Sequence, residues 1–130
     1  NAIQLSEYIQ KHSISFDLVL SSPSERTQST LDLVLSSFDP IPIVALKECI
    51  YHASAASLSK LIQEQDDEIN NLLVIGHNPG LHFLIELLTN ESISKFPTCA
   101  FAKITNLNYW KDIDAGILKL ESLITPKELT

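Results

Sequence analysis

The sequence predicts an α/β fold, a three-layer α/β/α sandwich on a mostly parallel sheet with an antiparallel C-terminal hairpin. Three observations carry that expectation. Phe16–Leu20 is a short apolar run read as a strand, and Leu72–Ile75 is an unbroken one, as expected of a parallel strand covered on both faces. Each run is followed by a polar turn and then a segment of helical periodicity, the alternation that builds a parallel sheet. The last third changes character, to two extended segments around a polar loop.

Taken in order, residues 2–11 form a helix with Ala2, Leu5 and Ile9 on one side. Phe16–Leu20 is the first strand. Ser22-Pro23-Ser24-Glu25 reads as a capping box, with Ser22 as N-cap, Pro23 at the first helical position and Glu25 reaching back. The helix behind it carries Thr27, Thr30, Leu31, Val34 and Leu35 on one face. Pro40 and Pro42 introduce an extended piece, Ile41–Leu46. Ser54 caps a helix that turns Leu58, Leu61 and Ile62 inward, and the polar stretch Gln65–Asn71 is a loop. After the strand Leu72–Ile75, Asn78 is the expected N-cap and Pro79 the first residue of a helix with Leu81, Leu84, Ile85 and Leu88. Ala100–Thr105 and Ile117–Ile124 pair as the hairpin across a loop holding Tyr109, Trp110 and Lys111.

Composition narrows the function classes. The 130 residues, 45% hydrophobic and 19% charged, form one domain, 1–130, with enough apolar material for a core. No apolar run approaches the ~18 residues of a membrane span, so no membrane association is expected. A net charge of −7 argues against a nucleic-acid partner gripped by a broad basic face. Cys49 and Cys99 form no CxxC or zinc spacing, which places the chain in a reducing cytoplasm. His77 and His82 lie five apart rather than four, so no metal site is expected, and no nucleotide-binding glycine motif calls for a cofactor.

Two constellations fall where α/β sheets collect ligands, just past the carboxyl ends of strands. In Ser21-Ser22-Pro23-Ser24-Glu25-Arg26-Thr27-Gln28, Arg26 occupies the first turn of a helix, where the dipole disfavours a cation. Either the guanidinium and the free helix amides share an anion, or Arg26 pairs with Glu25 or another surface acid. In Gly76-His77-Asn78-Pro79-Gly80, His77 stands between a strand and a helix start, placed to meet a phosphoryl oxygen or to satisfy a local backbone group. His52, after Tyr51 in a loop, is within reach of the crevice but reads better as solvent-exposed. His12 closes a surface helix, and His82 packs or faces solvent.

Taken together, these stretches resemble the histidine phosphatase superfamily, the phosphoglycerate-mutase-like group, and look most like the small SixA-type phosphohistidine phosphatases. The resemblance runs through DLVLSSPSERTQST, LKECIYHASAASLSKLI, LLVIGHNPGLHFLIELL and KFPTCAFAKI, in family order over nearly the whole chain. It implies that Arg26 is a phosphate-binding arginine and His77 an active-site histidine that contacts the transferred phosphoryl group. Glu48 falls where many members carry a proton donor; its alternative is a loop carboxylate paired with Arg26 or Lys47. Ser22 and Asn78 join Arg26 and His77 as expected substrate-binding residues, with Lys47, Lys95 and Thr98 as further contributors.

The chain departs from the family at one point. The family's Arg-His-Gly triplet, whose histidine is the nucleophile, does not occur in these residues, where Arg26 is the only arginine. The resemblance therefore implies a domain that is N-terminally incomplete and lacks the first strand, leaving two strand edges unpaired. The implied activity of the intact enzyme is metal-independent hydrolysis of a phosphorylated substrate, protein phosphohistidine foremost, through a covalent phosphohistidine. The 130 residues themselves are expected to hold phosphate or sulfate without turnover. The alternatives are a non-catalytic phosphate- or phosphoprotein-binding relative and a small-molecule phosphomonoesterase.

Overall fold

The computed structural model describes residues 2–129. Four helices are formed by Ala2–Lys11 (α1), Glu25–Leu35 (α2), Ala55–Gln63 (α3) and Gly80–Thr89 (α4). The strands are Leu18–Ser21 (β1), Ile43–Leu46 (β2), Leu72–Ile75 (β3), Phe101–Thr105 (β4) and Lys119–Ile124 (β5). Short 3-10 helices span Glu48–Ile50, Trp110–Asp112 and Pro126–Leu129. The expected elements are all present, with the strands trimmed by up to two residues at their starts.

β1 is central to a three-stranded parallel sheet of order β2-β1-β3, in which Leu18 is level with both Ile43 and Leu72. Alternation along the strands sorts the core into two layers. Val19, Val44, Leu73 and Ile75 pack with Leu5, Ile9, Leu31 and Val34 of α1 and α2. Leu20, Ala45, Leu72 and Val74 pack with Leu58, Leu61, Leu84 and Leu88 of α3 and α4. The sandwich thus follows from period-2 strands between helices whose apolar stripes repeat at helical spacing.

The expected antiparallel hairpin is present, but it does not extend the parallel sheet. β4 and β5 form a separate two-stranded antiparallel sheet, with an irregular register between Lys103 and Ile104. β3 is consequently the rim of the parallel sheet, and its residues are only half-buried despite their apolar run. A cavity of about 1150 Å³ passes between β3 and β4, lined by Leu5, Ile9, Leu73, Ile75 and Phe101 and reaching His77. The hairpin is held instead by the end of α4: Gly116 N donates to Leu87 O (2.9 Å) and Leu118 N to Leu88 O (3.0 Å). Its loop is pinned by Trp110 Nε1 donating to Ile69 O and Gln63 Nε2 donating to Ile113 O.

Leu20 is 1% exposed at the centre of the layer under α3 and α4. Leu20→Ala is expected to cost about 3 kcal/mol through lost burial and a residual cavity. Leu33→Ala, at a position 43% exposed on α2, should change stability far less. Urea denaturation of the two variants checks the difference.

Candidate functional site

The site begins where β1 stops. Ser22 N donates to Ile75 O (3.0 Å), extending the β1–β3 ladder one residue beyond the strand. Ser22 is therefore still governed by the sheet and does not cap the helix. The expected capping box is corrected here: the N-cap is Ser24, whose side chain accepts from Thr27 N, and α2 starts at Glu25. The turn is stapled by its own side chains, with Thr27 Oγ1 donating to Ser22 O (2.7 Å) and Gln28 Nε2 donating to Pro23 O (2.6 Å). Thr27 and Gln28 therefore serve to shape the loop that presents Arg26.

Ser22 is fully buried, and its Oγ lies 2.9 Å from His77 Nε2. This bond joins the two constellations directly. A serine–histidine pair at this distance resembles an activated nucleophile. Here the serine has no solvent access, and no carboxylate hydrogen-bonds the imidazole among the described residues. The Ser22 hydroxyl is thus engaged by His77, and the bond orients the imidazole.

Arg26 is exposed in the first turn of α2 and lines the same cavity as His77. Its guanidinium makes no ion pair with Glu25 or any other acid among the described residues, so the surface-pair alternative finds no support. The imidazole of His77 is held below its ordinary value of 6.5, first by burial, then by the positive fields of His52 and Arg26. His77 is thus neutral at neutral pH. Stability tied to this group is fully present above the unfolded value near 6.5 and is lost as pH falls through the lower folded one.

A third segment, Tyr51-His52, packs beside His77. Tyr51 meets His77 edge-on at 5.1 Å between ring centroids, and His52 stands 4.1 Å from Tyr51 and 6.3 Å from His77. The two glycines flanking His77-Asn78-Pro79 explain how this turn comes so close. A Cβ on Gly76 would lie 2.9 Å from Ile50 Cγ2, and one on Gly80 would lie 2.3 Å from Ala53 O. The room beside Gly76 and Gly80 is therefore occupied by the Ile50–Ala53 turn.

The remaining candidates separate. Both ends of the Asn78 amide are engaged: its Oδ1 accepts from His82 N, and its Nδ2 donates to Phe96 O. It caps α4 through its side chain although Pro79 occupies the N-cap position, and it fastens the segment leading to β4. His82 supports the same segment, with Nε2 3.1 Å from Ile93 O. Glu48 opens its 3-10 helix with an exposed side chain that bonds neither to His77 nor to Arg26 or Lys47 among the described residues. Thr98 shares the cavity with Arg26 and His77, whereas Lys95 lines a shallower neighbouring groove. No cluster of three or more His, Cys, Asp or Glu suited to a metal ion occurs among the described residues. No helix there is long and apolar enough to cross a membrane.

No protein-family model matches the chain. Two proteins of Mycobacterium tuberculosis, the uncharacterized Rv1276c of strain H37Rv and MT1313 of strain CDC 1551, are each 29% identical over 121 residues. Those alignments span 85% of this chain and 74% of theirs. Among solved structures, SixA of Agrobacterium tumefaciens, assigned as a phosphohistidine phosphatase, superposes with a TM-score of 0.78 at 21% identity, over 96% of this chain and 77% of its own. The corresponding protein of Nakamurella multipartitia gives 0.82 at 17% identity, over 96% and 79%. The protein histidine phosphatase SixA complexed with tungstate gives 0.83 at 20% identity, over 99% and 81%. The chain thus has the fold of the SixA structures, the phosphoglycerate-mutase-like architecture implied by the sequence resemblance.

Two outcomes test this geometry. In an NMR titration His77 should show a midpoint below 6.5, and Arg26→Gln should raise that midpoint by removing a nearby positive charge. Gly80→Ala should destabilise the fold by about 1–3 kcal/mol in urea, because its methyl would meet a backbone carbonyl that must shift.

Proposed function

We propose that this chain provides the phosphoryl-binding half of a phosphatase that hydrolyses a phosphorylated substrate, protein phosphohistidine foremost. The observation that carries the reading is the convergence of Arg26, from the start of α2, and His77, from the end of β3, on one cavity. Arg26 has no acidic partner to neutralise it, so an oxyanion is the natural ligand for its fork of donors. The fold shared with a SixA structure complexed with tungstate, a tetrahedral oxyanion, supports the same choice of ligand.

In the intact enzyme a nucleophilic imidazole attacks phosphorus as the bond to the leaving group breaks. The leaving group takes up a proton, and water then hydrolyses the phosphohistidine to inorganic phosphate. Transition-state charge on the equatorial oxygens is met by Arg26 and His77, each contributing about 3 kcal/mol to lowering the barrier. A phosphoramidate leaving group needs little acid assistance, in keeping with a Glu48 that is tied into no network.

No residue of these 130 stands in the nucleophile's place, since they contain no Arg-His-Gly triplet. That absence favours a second reading for the chain taken alone, as a phosphate-binding module without turnover. An assay on a phosphohistidine peptide decides between them, comparing the chain alone with the chain preceded by a strand bearing the triplet. The first should bind inorganic phosphate with negligible turnover. The second should turn over, and Arg26→Ala or His77→Ala should lower its rate about a hundredfold or more. Turnover by the chain alone that His77→Ala abolishes would mean His77 is itself the nucleophile.

A further inference from the structure

We propose that His52 is a third ligand-facing residue of the oxyanion site, standing beside His77. The inference rests on the phosphoryl-binding reading above and extends it to a residue which that reading does not include. Four observations carry it. The His52 ring lies 6.3 Å from that of His77, with Tyr51 packed against both. Its side chain is exposed, and its ring nitrogens have no hydrogen-bond partner among the described residues, so they are free to serve a ligand. Its backbone sits at φ +57°, a left-handed conformation that is uncommon outside glycine but that histidine adopts more readily than most residues, and packing holds it there. That packing is the seating of Ile50 and Ala53 against Gly76 and Gly80, the glycines that bracket the His77 loop.

His77 thus has a second imidazole and a guanidinium acting on it, in a chain whose net charge is −7. The charged groups concerned are Arg26 from α2 and His77 from the β3–α4 loop, with Lys47 and Glu48 on the connection that leads to His52 itself. Without a ligand, His52 and Arg26 disfavour a positive charge on His77. A bound tetrahedral oxyanion offsets that effect, and a protonated His52 then donates to one of its oxygens. Binding should therefore tighten as pH falls from 8 toward 6, with His52 responsible for much of the gain.

The probe is tungstate, titrated by calorimetry into the whole chain between pH 6 and 8. His52→Asn is the informative variant, because asparagine tolerates the left-handed backbone while lacking a titrating ring. It should fold normally and bind tungstate about tenfold more weakly at pH 6, with a smaller loss at pH 8 and a flatter pH profile. His12→Asn, altering a ring bonded to Tyr8 O on α1, should leave binding unchanged. His52→Gly, which also accepts the backbone, repeats the measurement should the asparagine variant prove unstable. Unchanged affinity and pH profile in the folded His52 variants would overturn the inference and leave the phosphoryl-binding reading intact. Absence of tungstate binding by the unaltered chain at every pH would overturn both.

Discussion

The in-register parallel pairing of β1 with β3 is the constraint on which the site depends. It sets Ser21 level with Ile75, and the Ser22 amide then bonds to the Ile75 carbonyl just past the strand ends. Both chains leave the sheet at the same height and in the same direction. Ser22 and His77 consequently meet at hydrogen-bond distance although α2, β2 and α3 separate them in sequence. A slip of one residue would turn Val19 and Leu20 to the wrong faces, so the apolar pattern that stabilises the sheet also fixes the spacing of the polar site.

The local electrostatics run against the character of the chain. An acidic protein brings Arg26 and His77 to one cavity and, among the described residues, leaves the guanidinium without a carboxylate. Burial first, then the influence of His52 and Arg26, holds the His77 imidazole below its ordinary range and favours the neutral ring that bonds to Ser22. Close backbone contact brings His52 near that ring. Gly76 and Gly80 admit the Ile50–Ala53 turn to distances that a methyl group would forbid.

The layers of this fold were legible because burial imposes a period that sequence displays. Val19 and Leu20 face opposite helix pairs, and the stripes of α1 to α4 point where their spacing says. Arg26 and His77 were legible because each follows an apolar strand at a helix start. The capping serine was misplaced since two serines flank Pro23, and only the β1–β3 ladder decides that Ser22 remains with the sheet. The separation of the hairpin depends on backbone bonds to the end of α4, which no side-chain pattern records. His52 was read as solvent-exposed, and it is; its nearness to His77 arises from a left-handed backbone and from glycines far along the chain.

The two rims of the parallel sheet are guarded by different means, and this bears on how the molecule behaves at high concentration. β2 is an outer strand with Ile43 72% exposed, and Ile41 just before it is 66% exposed, an apolar border of the kind that recruits foreign strands. Pro40 and Pro42 precede it and offer no amide hydrogens, which shortens the stretch on which a neighbour could pair. β3, at the other rim, has no proline or charge along Leu72–Ile75 and is shielded only by facing the slot beside β4. Resistance to aggregation at one border is chemical, written in the side chains, and at the other is purely steric, lasting only while the hairpin stays docked on α4.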